Sequence, residues 1–145
     1  MQPQIVIRKI EKFDFEFIYT SICDLQNETF DKLEFEKIFY KNISNSDFYY
    51  LVAQINTDKV GLITFHTQKL LHHCGLVGEI QEFYILPEYR GKGIGKRLIE
   101  EIFNYAELKN IKSIEVTTNK KRIENINIYE NLGFILSHNK FTIYK

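Results

Sequence analysis

Apolar and polar residues alternate through "QIVIRKI", and this period of two predicts a first strand from Gln4 to Ile10. The period then lengthens. Phe15, Ile18, Ile22 and Leu25 recur at helical spacing within "DFEFIYTSICDLQNETF", with Asp14 placed to cap the helix. "LEFEKIFYKNI" predicts a second short helix with Phe35, Ile38 and Phe39 on one face. "DFYYLVAQI" and "VGLITFHTQ" read as two strands, and the turn residues Asn56, Thr57, Asp58 and Lys59 between them predict a hairpin.

"LVGEIQEFYIL" is the next strand, ended by Pro87. "GIGKRLIEEIFNYAELK" is an amphipathic helix whose buried stripe is Ile94, Leu98, Ile99, Ile102, Phe103 and Ala106. "SIEVTTN" predicts a strand, and "RIENINIYENLGF" a helix that stops at Gly133, a residue suited to the left-handed position after a helix. "ILSHNKFTIY" closes the chain as one or two strands. The order β-α-α-β-β-β-α-β-α-β predicts a mixed α/β (α+β) domain, with a mostly antiparallel front half and a β-α-β-α-β back half. No repeat, low-complexity tract or Pro/Gly/Ser-rich linker divides residues 1–145, so one domain is expected.

Charge and composition narrow the function classes. Nineteen basic residues balance nineteen acidic ones. The chain lacks the global field of a nucleic-acid or anionic-membrane binder, and neither partner is expected. Cys23 and Cys74 lie far apart and outside any CxxC pattern, which argues against a zinc ribbon or redox motif. "MQPQIVIRKIEKF" shows no signal-peptide apolar core, and no run approaches membrane-spanning length, so a cytoplasmic protein is expected.

The chemistry concentrates in "PEYRGKGIGKRLIEEI". Only seven glycines occur in the chain, and Gly91, Gly93 and Gly95 fall together where a strand ends and a helix begins. Glycines there permit positive φ and close approach of a ligand to the backbone. The first helical N–H groups lack intrachain acceptors, and the helix dipole favours an anion. Arg90, Lys92 and Lys96 add positive charge, so the segment predicts a phosphate-binding loop. A Walker A loop fails because Arg97 follows Gly95-Lys96, and GxGxG is not the dinucleotide fingerprint GxGxxG.

The pattern R/Q-x-x-G-x-G/A resembles the pyrophosphate loop of the GNAT N-acetyltransferases. The preceding strand "EIQEFYILPEYR", the strand "SIEVTTN" and "IYENLGF", similar to the family's "LYxxxGF", extend the likeness. "LLHHCGLVGEIQEFYILPEYRGKGIGKRL", "TTNKKR" and "SHNKFTIY" look like the aminoalkylphosphonate N-acetyltransferases over nearly the full chain. The resemblance implies a twisted, mixed, mostly antiparallel sheet of six to seven strands with about four helices. It implies acetyl-CoA as cosubstrate, a small-molecule amine as acceptor, a divalent metal as a possible aid, and room for a homodimer. Two departures stand out: Arg122 and Asn125 occupy positions where the family often has Asn and Ala.

Site residues follow from the resemblance. Phe83, Tyr84 and Ile85 would lend backbone groups to the pantetheine arm, with an N–H near Ile85 as oxyanion donor. Arg90, Gly91, Lys92, Gly93, Ile94, Gly95 and Lys96 would hold the pyrophosphate. Asn119 and Asn125 are placed with the coenzyme, although Asn125 equally suits an exposed helix face. Glu79, eleven residues before Arg90, is the candidate base; its alternative is a solvated strand glutamate. Tyr129 is the candidate acid for the leaving thiolate, or else a core residue beside Ile126 and Leu132. Strand parity puts Glu79 and Gln81 on one face and Glu82 on the other, with Gln81 on the substrate side. His72 and His73 are open between a substrate or metal role and a turn role; adjacent strand histidines, even with His66 nearby in sequence, are poor joint ligands. Other amines (an aminoglycoside, a polyamine or a protein N-terminus) and a non-catalytic acyl-CoA sensor are the alternative functions. Glu28, Asp31, Glu34 and Glu36 would supply an acidic groove for a larger amine, or form a solvated face.

Overall fold

The computed structural model describes residues 4–145. Strand β1 (Ile5–Lys9) leads into helices α1 (Phe15–Gln26) and α2 (Lys32–Ile43), then into strands β2 (Phe48–Ile55), β3 (Asp58–Leu70) and β4 (Gly75–Ile85). Helix α3 (Ile94–Leu108), strand β5 (Ile114–Val116) and helix α4 (Glu124–Asn131) follow. The sheet order is β1-β2-β3-β4-β5. The first three pairings are antiparallel and β4 pairs β5 in parallel.

The hairpin forms where expected. Ile55 pairs Asp58, leaving Asn56 and Thr57 as the loop, and Asn56 takes φ +55°. Residues alternate between two cores, as period-two strands require. On one face, Leu51, Ile63, Phe65 and Ile80 pack against the α3 stripe of Ile94, Leu98, Ile99 and Ile102. On the other, Val52, Leu62 and Tyr84 pack against Phe15, Ile18 and Phe39 of α1 and α2. Gly133, at φ +99°, follows α4 as the expected left-handed residue.

Three expectations are corrected. The sheet has five strands, not six to seven, because 135–145 forms no strand. Alternation in "ILSHNKFTIY" gives strand propensity, but a strand also needs a ladder partner, and this segment has none among the described residues. Ile135, Phe141, Ile143 and Tyr144 stay exposed there. Ile38 faces solvent, since α2 buries only a narrow line around Phe39. Asp14 precedes α1 but does not cap it with its side chain. Its carboxylate is fully buried, paired with Arg8 and Lys59 at 2.8 Å each, and accepts the Glu11 N–H at 2.8 Å. Burial alone would raise its pKa. The bonds from Arg8, Lys59 and the Glu11 N–H outweigh that and hold it at about 2.

Candidate active site

β4 and β5 stay together only through Gly78–Ile114, Glu79–Glu115 and Ile80–Val116. Beyond Ile80 they part. The opening is lined by Ile80, Gln81 and Phe83 from β4, by Val116 to Asn119 after β5, and by Arg122, Asn125 and Tyr129 at α4. Backbone direction decides what β4 offers to it. The Leu86 N–H donates to Val60 O and the Glu82 N–H to Thr64 Oγ1, both at 2.9 Å and both toward β3. Backbone groups alternate sides along a strand, so the Phe83 and Ile85 N–H groups face the opening. Tyr84 directs its N–H to β3 and buries its ring among α1 and α2.

The glycine loop closes one end. Gly91 and Gly93 have φ of +77° and +82°, and a Cβ on either would meet nothing within 4 Å. Backbone conformation therefore calls for glycine at both places, and the space above them is open. α3 starts at Ile94, and its first helical bond runs from the Arg97 N–H to Gly93 O at 3.1 Å. The Ile94, Gly95 and Lys96 N–H groups are thus left without helical acceptors. Gly95 lets α3 lie close on β4, since a Cβ there would come within 3.1 Å of the Phe83 ring. Arg90 turns back onto the strand: its Nε donates to Ile85 O at 2.8 Å, and its guanidinium lies 5.3 Å from the Tyr84 ring centre. Lys92 and Lys96 stay exposed at the loop.

Tyr129 lies half-buried across the opening, edge-on to Phe134 with ring centres 5.7 Å apart. Burial pushes its phenol up, and the Arg122 charge opposes this. The phenol therefore holds its proton at neutral pH, as a donor must. Its hydroxyl has no hydrogen-bond partner among the described residues, so it is free for a ligand. Asn125 Nδ2 donates to Thr118 Oγ1 at 2.8 Å. Asn119 Oδ1 accepts the Lys121 N–H at 2.9 Å, which commits that side chain to the turn before α4. Arg122 Nη2 donates to Leu25 O at 2.8 Å, joining α1 to the rim.

Glu79 sits at the edge of the opening, accepting from Gln81 Nε2 at 3.1 Å and Thr117 Oγ1 at 3.2 Å. The parity expectation for Glu82 is overturned. Ile63 pairs Phe83 while Phe65 pairs Ile80, so β4 spends three steps where β3 spends two. This β-bulge brings Glu82 to the same face as Glu79. Glu79 is the cross-strand partner of His66, and Glu82 accepts the hydroxyl of Thr64, two residues from His66. His66 Nε2 in turn shares a hydrogen bond of 2.6 Å with the Tyr50 hydroxyl, which accepts from Asn42 Nδ2 at 3.0 Å. Neither Thr64 nor Tyr50 stands out in the sequence; each sits in an ordinary alternating strand.

His72 and His73 are not at the opening. They form a short turn between β3 and β4, with ring centres 4.5 Å apart. Gln81 is six residues along β4 from that turn's end at Gly75, about 20 Å away in extended chain. Among the described residues no three His, Cys, Asp or Glu side chains cluster closely enough to hold a metal ion.

Free helix N–H groups above two open glycines, a parted sheet edge with backbone donors and a free phenol fit a phosphate-bearing thioester cosubstrate. The acetyltransferase (GNAT) family matches residues 14–134, and the chain belongs to it: it is an N-acetyltransferase whose family uses acetyl-CoA. It is 32% identical over 142 residues to the aminoalkylphosphonate N-acetyltransferase of Salmonella typhimurium, covering 98% of this chain and 92% of that one. A transcriptional regulator of Bacillus halodurans shares the fold, with a TM-score of 0.90 and 23% identity over 98% of this chain and 100% of that one. So does an aminoglycoside N-acetyltransferase solved with CoA, with a TM-score of 0.88 and 15% identity over 100% of this chain and 97% of that one. No helix of the described residues is long and apolar enough to cross a membrane.

Proposed function

We propose that the protein binds acetyl-CoA in the parting of β4 and β5 and transfers the acetyl group to the primary amine of a small molecule, an aminoalkylphosphonate above others. The observation carrying this reading is the set of Phe83 and Ile85 N–H groups that face the opening with no strand to pair. They would hold the pantetheine arm and the thioester carbonyl as an added strand would be held. The pyrophosphate would lie on the N–H groups of Ile94, Gly95 and Lys96, with Lys92 and Lys96 adding charge.

Both substrates bind before reaction. The amine nitrogen attacks the carbonyl directly, and the Tyr129 hydroxyl donates to the departing thiolate. Glu79 lies on the acceptor side and attracts the ammonium. The phosphonate preference rests on the likeness to the Salmonella enzyme and on Arg122. That guanidinium lines the opening and has no carboxylate partner among the described residues. It is a ready counter-charge for a phosphonate.

The test is thiol release from acetyl-CoA with aminomethyl- and 2-aminoethylphosphonate, an aminoglycoside, spermidine and a short peptide, with and without divalent metal. Turnover highest on the phosphonates is expected. Turnover on another amine alone would discard the phosphonate reading.

A further inference from the structure

We infer that Glu82, clamped by Thr64 in the β4 bulge, is the group that takes the proton from the acceptor ammonium, while Glu79 serves to bind it. The inference rests on the acetyl-transfer reading above. Its ground is geometric. The bulge turns Glu82 onto the face of Glu79, which the reading above gives to the acceptor, and sets it one residue before Phe83, whose N–H would hold the thioester carbonyl. Thr64 is 1% exposed, and its hydroxyl oxygen already accepts the Glu82 N–H at 2.9 Å. Its single proton therefore goes to the Glu82 carboxylate. Residue and clamp form a closed ring that fixes the carboxylate direction without neutralising it.

Glu82 has no cationic partner among the described residues, and half-burial without one is costly for a carboxylate. Burial pushes its pKa up and the Thr64 bond opposes this, so it holds a proton better than an exposed glutamate does. An arriving ammonium is the missing counter-charge. Glu79, by contrast, is already held by Gln81 and Thr117.

The proton count closes. Glu82 takes one proton from the ammonium, freeing the nitrogen lone pair. The N–C bond forms and the C–S bond breaks. The thiolate takes the Tyr129 proton, and one of the two protons still on the nitrogen restores Tyr129, the other staying as the amide N–H. Glu82 releases its proton to water, so amide, free thiol and one proton result.

The experiment compares kcat/KM at pH 7 for two amines of similar size and different basicity, propylamine and 2,2,2-trifluoroethylamine. The second is largely neutral in solution and needs no proton removed before attack. Glu82→Gln keeps an oxygen for Thr64 and should lower propylamine turnover about 10²-fold, with a loss under about threefold for trifluoroethylamine. Glu79→Gln should weaken KM for protonated propylamine. Thr64→Val should reproduce the Glu82→Gln selectivity in part, with acetyl-CoA affinity intact. Equal loss on both amines, or no loss, would overturn the assignment. If the wild type turns over neither these amines nor the phosphonates, the transferase reading fails on its own. The Glu82 carboxyl ¹³C shift in CoA-loaded protein then decides: a shift on adding 2-aminoethylphosphonate supports ammonium contact, and its absence overturns it.

Discussion

The Tyr50 hydroxyl lies 2.6 Å from His66 Nε2, the two sharing one hydrogen bond. Asn42 Nδ2 donates to the same hydroxyl, and burial pushes the phenol up to about 12. A phenol that keeps its proton and has no other acceptor among the described residues gives it to Nε2, so the expected tautomer of His66 carries its proton on Nδ1. Burial lowers the imidazole pKa, with the Glu79 charge opposing, and Phe48 stacks on the ring at 3.7 Å between centres. The expected ¹⁵N spectrum shows an unprotonated Nε2 and a ring that stays neutral below the ordinary imidazole range. Tyr50→Phe should remove the Nε2 bond and let the tautomers mix. A protonated Nε2 in the wild type would refute the orientation.

Asp14 sets the acid limit of stability. Its pKa is lowered from an ordinary 3.8 to about 2, so its folded state is favoured above the unfolded value. That stability is fully present above about pH 4 and is lost as pH falls toward 2, on the order of 2 kcal/mol in all. Chemical denaturation of the wild type should show this loss between pH 4 and 2. Asp14→Asn should flatten the curve there and destabilise the protein at pH 7, because Arg8 and Lys59 lose their shared partner.

The glycine loop separates backbone strain from ligand contact. Gly93 sits at φ +82° with open space where a Cβ would point. Gly93→Ala should cost about 1 kcal/mol of folding stability from the left-handed backbone alone. Gly93→Asp adds a negative charge at the same place and should abolish acetyl-CoA binding in calorimetry. Equal binding by the two variants would move the pyrophosphate away from this turn.

Tyr129→Phe removes one hydroxyl that has no hydrogen-bond partner among the described residues. Coenzyme affinity should be unchanged and kcat should fall about 10²-fold. The fall should shrink for a thioester analogue with a more acidic leaving thiol, which needs less help to depart. Full turnover of a slow amine by the variant would end the acid assignment.

Most of the fold is legible because local period and global layer agree in it. The α3 stripe is read correctly except at Phe103, which is 36% exposed at the stripe's edge. The glycine loop is legible because positive φ demands glycine and leaves a mark in the residues. The β4 bulge leaves none. Strand parity counts residues, and no residue type in "GEIQEFYIL" signals that one extra is absorbed opposite Thr64. That is why the face of Glu82 is misread. The closing strands fail for a related reason: propensity is local, whereas a ladder partner is a tertiary fact.

Arg122 offers the sharpest test of acceptor class. It stands at the start of the segment leading into α4 and reaches Leu25 O at the end of α1 with Nη2. Arg122 lines the opening, and its other guanidinium donors have no partner among the described residues. A planar fork of donors suits a phosphonate better than an ammonium, which it would repel. Arg122→Gln should raise KM for 2-aminoethylphosphonate about tenfold or more, the worth of one charge-assisted contact. KM for propylamine should stay level or fall, because a repelling charge has gone. The Leu25 contact is controlled by Arg122→Lys, which keeps the charge and loses the fork; its phosphonate KM should fall between the two. Equal rises for both amines in Arg122→Gln would mean that the residue only ties α1 to the rim, and the phosphonate preference would lose its structural support.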